Sequence, residues 1–217
     1  MMDWQAYGDR GVLLRDLQKG LRSRLIDRFE QTLPEGCREF VIGYDSILLI
    51  GSVTALSRLA EALRRETDAD APEPRGQNAG SLRKIPVRYD GPDLHAIAEA
   101  TGLTVRELIR VHSKPTYTVY MMGFAPGFPY LEGLDPHLHL ARRTSPRNHI
   151  PPGAVAIGGP HAGIYSVASP GGWHLLGQTD LPLFRPEAAE QPNPDVASVF
   201  TLKPGDRVRF EAIEPKP

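Results

Sequence analysis

The chain has 217 residues, a length that suits one large domain or two small ones. Hydrophobic residues make up 41% and charged residues 24%, and the formal net charge is −1, so nothing global points to nucleic acid or an anionic membrane. The single cysteine, Cys37, excludes an intrachain disulfide and a cysteine-rich metal site.

The opening, MMDWQAYGDRG, carries an acid at Asp3 and lacks the apolar core of a secretory signal. No apolar run reaches the roughly 18 residues of a membrane span, and the expectation is a cytoplasmic protein. Gly11 to Leu14 reads as a short strand. Leu21, Leu25, Ile26, Phe29 and Leu33 then recur at helical spacing until Pro34 and Gly36 stop the helix. Glu39 to Gly43 and Ser46 to Ile50 are β-rich runs joined at Tyr44-Asp45, a hairpin. Thr54 is a candidate cap for a second helix carrying Leu56, Leu59, Ala60 and Leu63. The stretch 67–81 has no large apolar residue and reads as a linker, and Arg83 to Tyr89 is another strand. The order β-α-β-β-α-β is the split βαβ pattern of a ferredoxin-like domain.

Two short helices follow. Pro92-Asp93 opens the first and Gly102 closes it; Thr104 and Glu107 form a capping box for the second, with His112 near its end. From Tyr117 the texture changes: 16 of the 21 prolines and six of the seven histidines lie in the stretch from His112 onward, so the two parts of the chain differ in kind. Tyr117–Met121, Ala154–Ile157, Gly163–Val167, Trp173–Leu176, Val199–Leu202 and Arg207–Ala212 read as short strands between Gly/Pro turns, the punctuation of a β-barrel or sandwich. The expected division is residues 1–84 and 85–217.

No phosphate-binding Walker loop, Gly-x-Ser-x-Gly elbow or His-Glu-x-x-His helix is present. His137 and His139 read as solvated loop residues rather than metal ligands, and no metal is expected. Gly123 to Leu134, GFAPGFPYLEGL, combines glycines that admit another group close to the main chain with aromatics costly to leave in water. It suits either a pocket wall or a structural plug for a barrel end. Ser169 to Trp173 reads as a tight turn leading to a core Trp or as part of that pocket. Arg142, Arg143 and Arg147 form a basic cluster whose forks suit a carboxylate or phosphate, or simply a solvated loop. His112 is a candidate acid–base group, or a cation complementing a helix C-terminus.

The runs YTVYMMGFAPGFPYLEGL, SPRNHIPPGAVAIGG, AGIYSVASPGGWHLLGQT and LKPGDRVRF, with IPVRYDGPDLHAIAEATGL and GDRGVLL before them, resemble the family of the 5-oxoprolinase B subunit and allophanate hydrolase subunit 1. That family also includes an inhibitor of a sporulation histidine kinase, and its domains occur in the carboxyltransferase part of urea carboxylase. The resemblance implies an α+β fold: an N-terminal ferredoxin-like domain followed by a C-terminal cyclophilin-like β-barrel. It implies one component of a larger enzyme. The partners would be a sister barrel subunit, resembling the 5-oxoprolinase C subunit or allophanate hydrolase subunit 2, and a separate 5-oxoprolinase A subunit. ATP is then the co-substrate, with neither metal nor biotin on this chain, and the substrate is a small anion. A kinase regulator and a hydrolase component for another amide or urea derivative are the alternatives. The expected site is a barrel cleft with His112, Tyr130 and Arg147 as catalytic residues. Gly123, Phe124, Gly127, Phe128, Tyr165, Gly172, Trp173 and Gln178 are expected to bind substrate. Two departures stand out. Proteins of this kind usually read Gly-Arg-Thr-Pro where this chain has Gly177-Gln178-Thr179-Asp180, and Pro where it has Ser166. Gln178 can hydrogen-bond but carries no charge.

Overall fold

A computed structural model describes residues 2–64, 81–193 and 195–214. The chain divides into two compact units, Met1–Asn78 and Ala79–Pro217. The stretch read as a linker, 67–81, lies outside the described residues except for Ser81.

The first unit contains β1 (Asp3–Tyr7), β2 (Gly11–Arg15), α1 (Lys19–Gln31), β3 (Cys37–Ile42), β4 (Ile47–Gly51) and α2 (Val53–Leu63). The strands lie in the order β1-β2-β4-β3, every pairing antiparallel. Alternation puts Val12 and Leu14 of β2 and Ile47 and Leu49 of β4 on one face, where Leu21, Leu25 and Phe29 of α1 and Leu56, Ala60 and Leu63 of α2 bury against them. Arg22 shares the buried side of α1, and its guanidinium donates twice to the Gly43 carbonyl, at 3.0 and 2.8 Å. The N-cap of α2 is Ser52, not Thr54. The split βαβ arrangement is present, since β4 lies between β2 and β3. The strand expected to complete it, Arg83 to Tyr89, does not belong to this sheet. Its place beside β2 is taken by β1, a strand whose short mixed sequence contains no apolar run to read.

The second unit begins with that displaced strand, β5 (Leu82–Arg88). It continues through α3 (Leu94–Thr101), α4 (Val105–Ser113), β6 (Tyr117–Met122), β7 (Pro129–Glu132), β8 (Arg147–Ile150), β9 (Ala154–Gly158), β10 (His161–Ile164), β11 (Ser169–Gly171) and β12 (His174–Gln178). Two single-turn helices, α5 (Pro186–Ala189) and α6 (Val196–Val199), precede β13 (Arg207–Ile213). Seven strands close into a barrel in the order β10-β7-β6-β13-β5-β12-β9, and β8 and β11 form a separate two-stranded ribbon. β5 runs parallel to β13 along its whole length, from Leu82 opposite Arg207 to Arg88 opposite Ile213. A cut at 84/85 would therefore divide one barrel strand. The capping box of α4 forms as read: Thr104 Oγ1 accepts from the Glu107 amide at 3.2 Å and the Glu107 carboxylate accepts from the Thr104 amide at 2.9 Å. Val199–Leu202, read as a strand, is instead the end of α6 and a lone bridge from Phe200 to Phe184. Among the described residues no helix is long and apolar enough to cross a membrane.

Every barrel strand sends apolar side chains inward: Ile85 and Val87, Tyr117 and Val119, Leu131, Val155 and Ile157, Ala162 and Ile164, Leu176, Val208 and Phe210 form one core with Leu94, Ile97 and Leu108 of the helices. The barrel is a filled core, and any site must lie outside its lumen.

Candidate functional site

Strand alternation gives the barrel a second, outer buried surface. On β9, Val155 and Ile157 point inward while Ala154 and Ala156 join a separate cluster with Phe128, Ile150, Tyr165, Trp173 and Leu175. Two glycines make the seat. A Cβ on Gly158 would stand 2.7 Å from the Trp173 ring, and one on Gly163 would stand 2.9 Å from both Phe128 and Trp173. The indole therefore lies directly on the sheet backbone. Around it the rings meet edge to face: Phe128–Trp173 at 5.5 Å, Tyr130–Trp173 at 5.6 Å and Phe128–Tyr165 at 5.3 Å between centroids. The Arg142 guanidinium lies 5.9 Å from the centre of the Trp173 ring, in cation–π range. Burial foremost raises the Tyr165 phenol above its ordinary value, so it is a neutral hydrogen-bonding group.

The loop between β6 and β7 covers part of this surface. Phe124 adopts φ 66°, a left-handed conformation unusual for an aromatic residue, and Gly127 adopts φ 77°. Phe124 is 59% exposed yet stacks edge-on against Phe128 and Tyr165, so it forms a partly open lid on the aromatic cluster. Ser166 Oγ donates to the Pro126 carbonyl at 2.6 Å and pins the loop to the segment after β10. The serine that replaces the usual proline thus gains a structural role. Gly123 borders the side chains of Met121 and Tyr130, and Gly172 borders Pro146 and Arg142.

Beside the aromatic cluster lies a buried ion triad. Asp93 is 5% exposed, and one of its oxygens accepts from Arg147 Nη2 at 2.7 Å and from Arg143 Nη1 at 3.3 Å. The other accepts from the Leu175 amide of β12 at 2.8 Å. Burial raises the Asp93 carboxyl, but the Arg147 hydrogen bond, the Leu175 amide and the two guanidinium charges outweigh it and hold the group below its usual range. β8 pairs with β11 so that Arg147 faces Gly171, and Gly171 in turn adjoins the Tyr165 hydroxyl. The sequence marks Asp93 only as a helix opening; its partners are 50 to 82 positions away, and no local pattern announces them.

His112 does not join this constellation. It is fully buried on the inner side, stacked 4.6 Å from Phe210 and tilted against Tyr117 at 5.7 Å, with Nδ1 2.8 Å from the Tyr89 hydroxyl. Burial pushes its pKa down to about 3, so it is a neutral core imidazole. The expected cleft shared by His112, Tyr130, Arg147 and Trp173 is therefore corrected. Tyr130 and Trp173 meet, and the arginines flank them on the outer surface, but alternation sends the residues around His112 to the opposite face. The histidine that does approach the cluster is His161, 8% exposed and 6.1 Å from Tyr130 between ring centres. No sequence signal marks it, because a histidine after a Gly-Gly-Pro turn carries no distinguishing pattern. Gln178 stands opposite Arg88 and donates to the Pro152 carbonyl at 3.2 Å, while Arg88 grips Asp180 with two bonds of 2.9 and 3.0 Å. The Gln178 amide is thus bonded to the loop before β9, and Asp180 is bonded to a cation of β5. His137 binds Asp135 at 2.7 Å, and the described residues contain no group of three or more His, Cys, Asp or Glu that could hold a metal.

Comparisons with known proteins agree with this architecture. The family described as carboxyltransferase domain, subdomains C and D, matches residues 2–194. A protein of Escherichia coli O157:H7 named as the B subunit of 5-oxoprolinase is 42% identical over 159 residues, which cover 72% of this chain and 67% of that protein. Its namesake in Bacillus subtilis (strain 168) is 44% identical over 136 residues, 61% of this chain and 53% of that one. The chain thus spans between about half and two thirds of these curated relatives. The crystal structure of TTHA0988 superposes with a TM-score of 0.73 at 35% identity, covering 96% of this chain and 41% of that one. The urea carboxylase of Kluyveromyces lactis shares the fold, with a TM-score of 0.72 at 20% identity over 98% of this chain and 22% of that one. The chain belongs to the carboxyltransferase-domain family, subdomains C and D, with proteins named as 5-oxoprolinase B subunits among its relatives.

Proposed function

We propose that this chain is the B-type subunit of a cytoplasmic, ATP-dependent 5-oxoprolinase, an amide hydrolase that opens 5-oxoproline to glutamate only when joined by a sister barrel subunit (C-type) and a separate A-type subunit. The observation that carries the reading is the 42% identity, over 159 residues, to a protein bearing that name. The names of the relatives favour it over a histidine-kinase inhibitor and over a hydrolase of another amide or urea derivative. The chemistry consumes two waters. One adds across the lactam C–N bond, its hydroxyl ending on the carbonyl carbon and its proton on the nitrogen. The other cleaves the terminal phosphoryl group from ATP. ATP is the co-substrate of the assembled enzyme and not a resident group of this chain.

The outer face of the barrel suits the substrate. 5-Oxoproline is a small ring with one carboxylate. Phe124 and Tyr130 offer aromatic surface, backed by the buried Phe128 and Trp173, and Arg143 and Arg147 offer guanidinium forks for the carboxylate. Tyr130 adds a hydroxyl at the edge of that surface, and the loop carrying Gly123, Phe124 and Gly127 closes over it. Gly172 and Tyr165 line the side nearest the ribbon.

Reconstitution tests the reading. Co-expressed with the sister barrel chain, the protein co-elutes in size-exclusion chromatography at micromolar concentration, as a standard interface of about 1,600 Å² allows. Addition of the A-type subunit and ATP gives glutamate release, while the lone chain gives none. Turnover by the lone chain, or turnover without ATP, refutes the proposal.

A further inference from the structure

Asp93 is a buried carboxylate tied to distant parts of the second unit. Its side chain is 6% exposed and binds three groups from three parts of the chain: the Leu175 amide of β12, Arg147 of β8 and Arg143 from the segment before β8. It stands at the N-cap of α3 without capping that helix through its side chain. Its hydrogen bonds run to the sheet and the ribbon instead. The Asp93 amide also donates to the Leu175 carbonyl at 3.3 Å, so backbone and side chain fix the residue to the same point of β12.

The arginines are only half used by this arrangement. Arg147 gives Nη2 to Asp93, while its Nη1 is buried and has no hydrogen-bond partner among the described residues; the same holds for Arg143 Nε. A buried guanidinium N–H left unmade is costly, and such atoms point to a ligand. Charge gives the same answer. Two guanidiniums facing one carboxylate leave one positive charge uncompensated, with side chains 35% and 23% exposed against 6% for the carboxylate. The acid is sealed inside, while the two arginine side chains are partly exposed and keep one buried N–H-bearing nitrogen each that is unpartnered among the described residues.

We propose that Asp93 is a positioning residue that aligns Arg143 and Arg147 as a receptor for a single carboxylate group on the ligand bound at the outer face of the barrel. The proposal rests on the reading of that face as the substrate site, and deepens it by naming the residue that sets the geometry of the carboxylate receptor. Asp93 holds one nitrogen of each fork, so that neither guanidinium has to be ordered at the moment of binding. It also lowers the surplus charge from two to one, which matches a monoanion.

Nitrogen-15 NMR of the full chain observes the arginine side chains directly. In the wild type, the Nε–H signals of Arg143 and Arg147 exchange slowly with water and shift on titration with sodium acetate. In Asp93→Asn, which keeps the size and one acceptor for the Leu175 amide, those signals broaden or vanish. In the reconstituted enzyme, Asp93→Asn raises KM for 5-oxoproline at least tenfold and lowers kcat far less. In an Arg143→Ala/Arg147→Ala background it adds no further rise, because its effect passes through those two arginines. An unchanged KM with a lowered Tm assigns Asp93 a purely structural role and overturns the proposal. An equal effect of Asp93→Asn with and without the two arginines overturns it as well. If the wild-type complex releases no glutamate, the 5-oxoprolinase reading fails, and the acetate titration decides the carboxylate receptor by itself. If Asp93→Asn fails to fold, the same titration decides: wild-type Arg143 and Arg147 signals that acetate does not move refute the receptor.

Discussion

Substituting His112 by Phe removes a titratable group from the barrel core and yields a pH signature that can be worked out in advance. The imidazole is 0% exposed, and burial drops its pKa from 6.5 to about 3. The folded chain therefore resists protonation, while the unfolded chain takes up the proton near pH 6.5. Stability from this group is complete above that value and is lost as pH falls from 6.5 toward 3. Each unit of pH in that window costs about 1.4 kcal/mol once the unfolded state is fully protonated, so the loss between pH 7 and pH 5 is about 2 kcal/mol. His112→Phe abolishes that loss. It also strands the Tyr89 hydroxyl, now 2.8 Å from Nδ1, at a pH-independent cost of about 1–3 kcal/mol. Urea unfolding followed by Trp173 fluorescence, in a Trp4→Phe background so that the barrel alone reports, measures both terms. The wild type and the variant should converge by about 2 kcal/mol on going from pH 7 to pH 5. Parallel stability profiles would refute the burial argument and return His112 to the list of exposed acid–base candidates.

Gly163→Ala places a methyl 2.9 Å from Phe128 and Trp173 and 3.0 Å from the Pro129 carbonyl, so overpacking should cost about 1–3 kcal/mol and alter near-UV circular dichroism; an unchanged Tm and spectrum would show that the aromatic cluster does not rest on this backbone. Leu25→Ala, at a fully buried position on α1, should lower the stability of the first unit by roughly 2–5 kcal/mol while the reconstituted activity per folded molecule stays constant; a loss of activity in folded protein would bring the first unit into the chemistry.

Elements with their own periodicity or punctuation were legible in the sequence. The stripe of Leu21, Leu25 and Phe29 announced α1, the Thr104–Glu107 box announced α4, and the runs at Tyr117 and Arg207 announced two barrel strands. What escaped was set by partners far along the chain. β1 has no apolar run, and it is a strand because β2 offers it an edge. β5 looked like the last strand of the first sheet because it follows α2 in order, yet pairing with β13 over 120 residues later places it in the barrel. β8 and β11, four and three residues long, lie in stretches of Pro, Gly and Ser that read as turns, and they are strands only through each other. Propensity is silent where tertiary pairing decides.

The candidate site divides in the same way. The residue types were legible: the aromatic loop, the SPGGW turn and the arginine cluster all border the outer surface. Their geometry was not, because a one-residue change in strand phase sends a side chain from the lumen to the outside. Val155 and Ile157 fill the lumen while their neighbours Ala154 and Ala156 floor the aromatic cluster, and a run of five buried residues in β9 hides that alternation. A packed core contributed by all seven strands closes the lumen, and the buried aromatic cluster lies on the other face of the sheet. The consequence for recognition is specific. A lumen site would be shaped by the barrel itself. An outer site is shaped by what lies over the sheet, here the β8–β11 ribbon, the loop held by Ser166 and the arginines held by Asp93. Substrate preference within this fold can then change through those additions while the barrel core stays the same. On that reasoning the departures at Ser166, Gln178 and Asp180 bear on ligand choice only where they move the loop or the ribbon. Ser166 touches the loop directly. Gln178 binds the Pro152 carbonyl in the segment joining β8 to β9, and Asp180 binds Arg88 of β5.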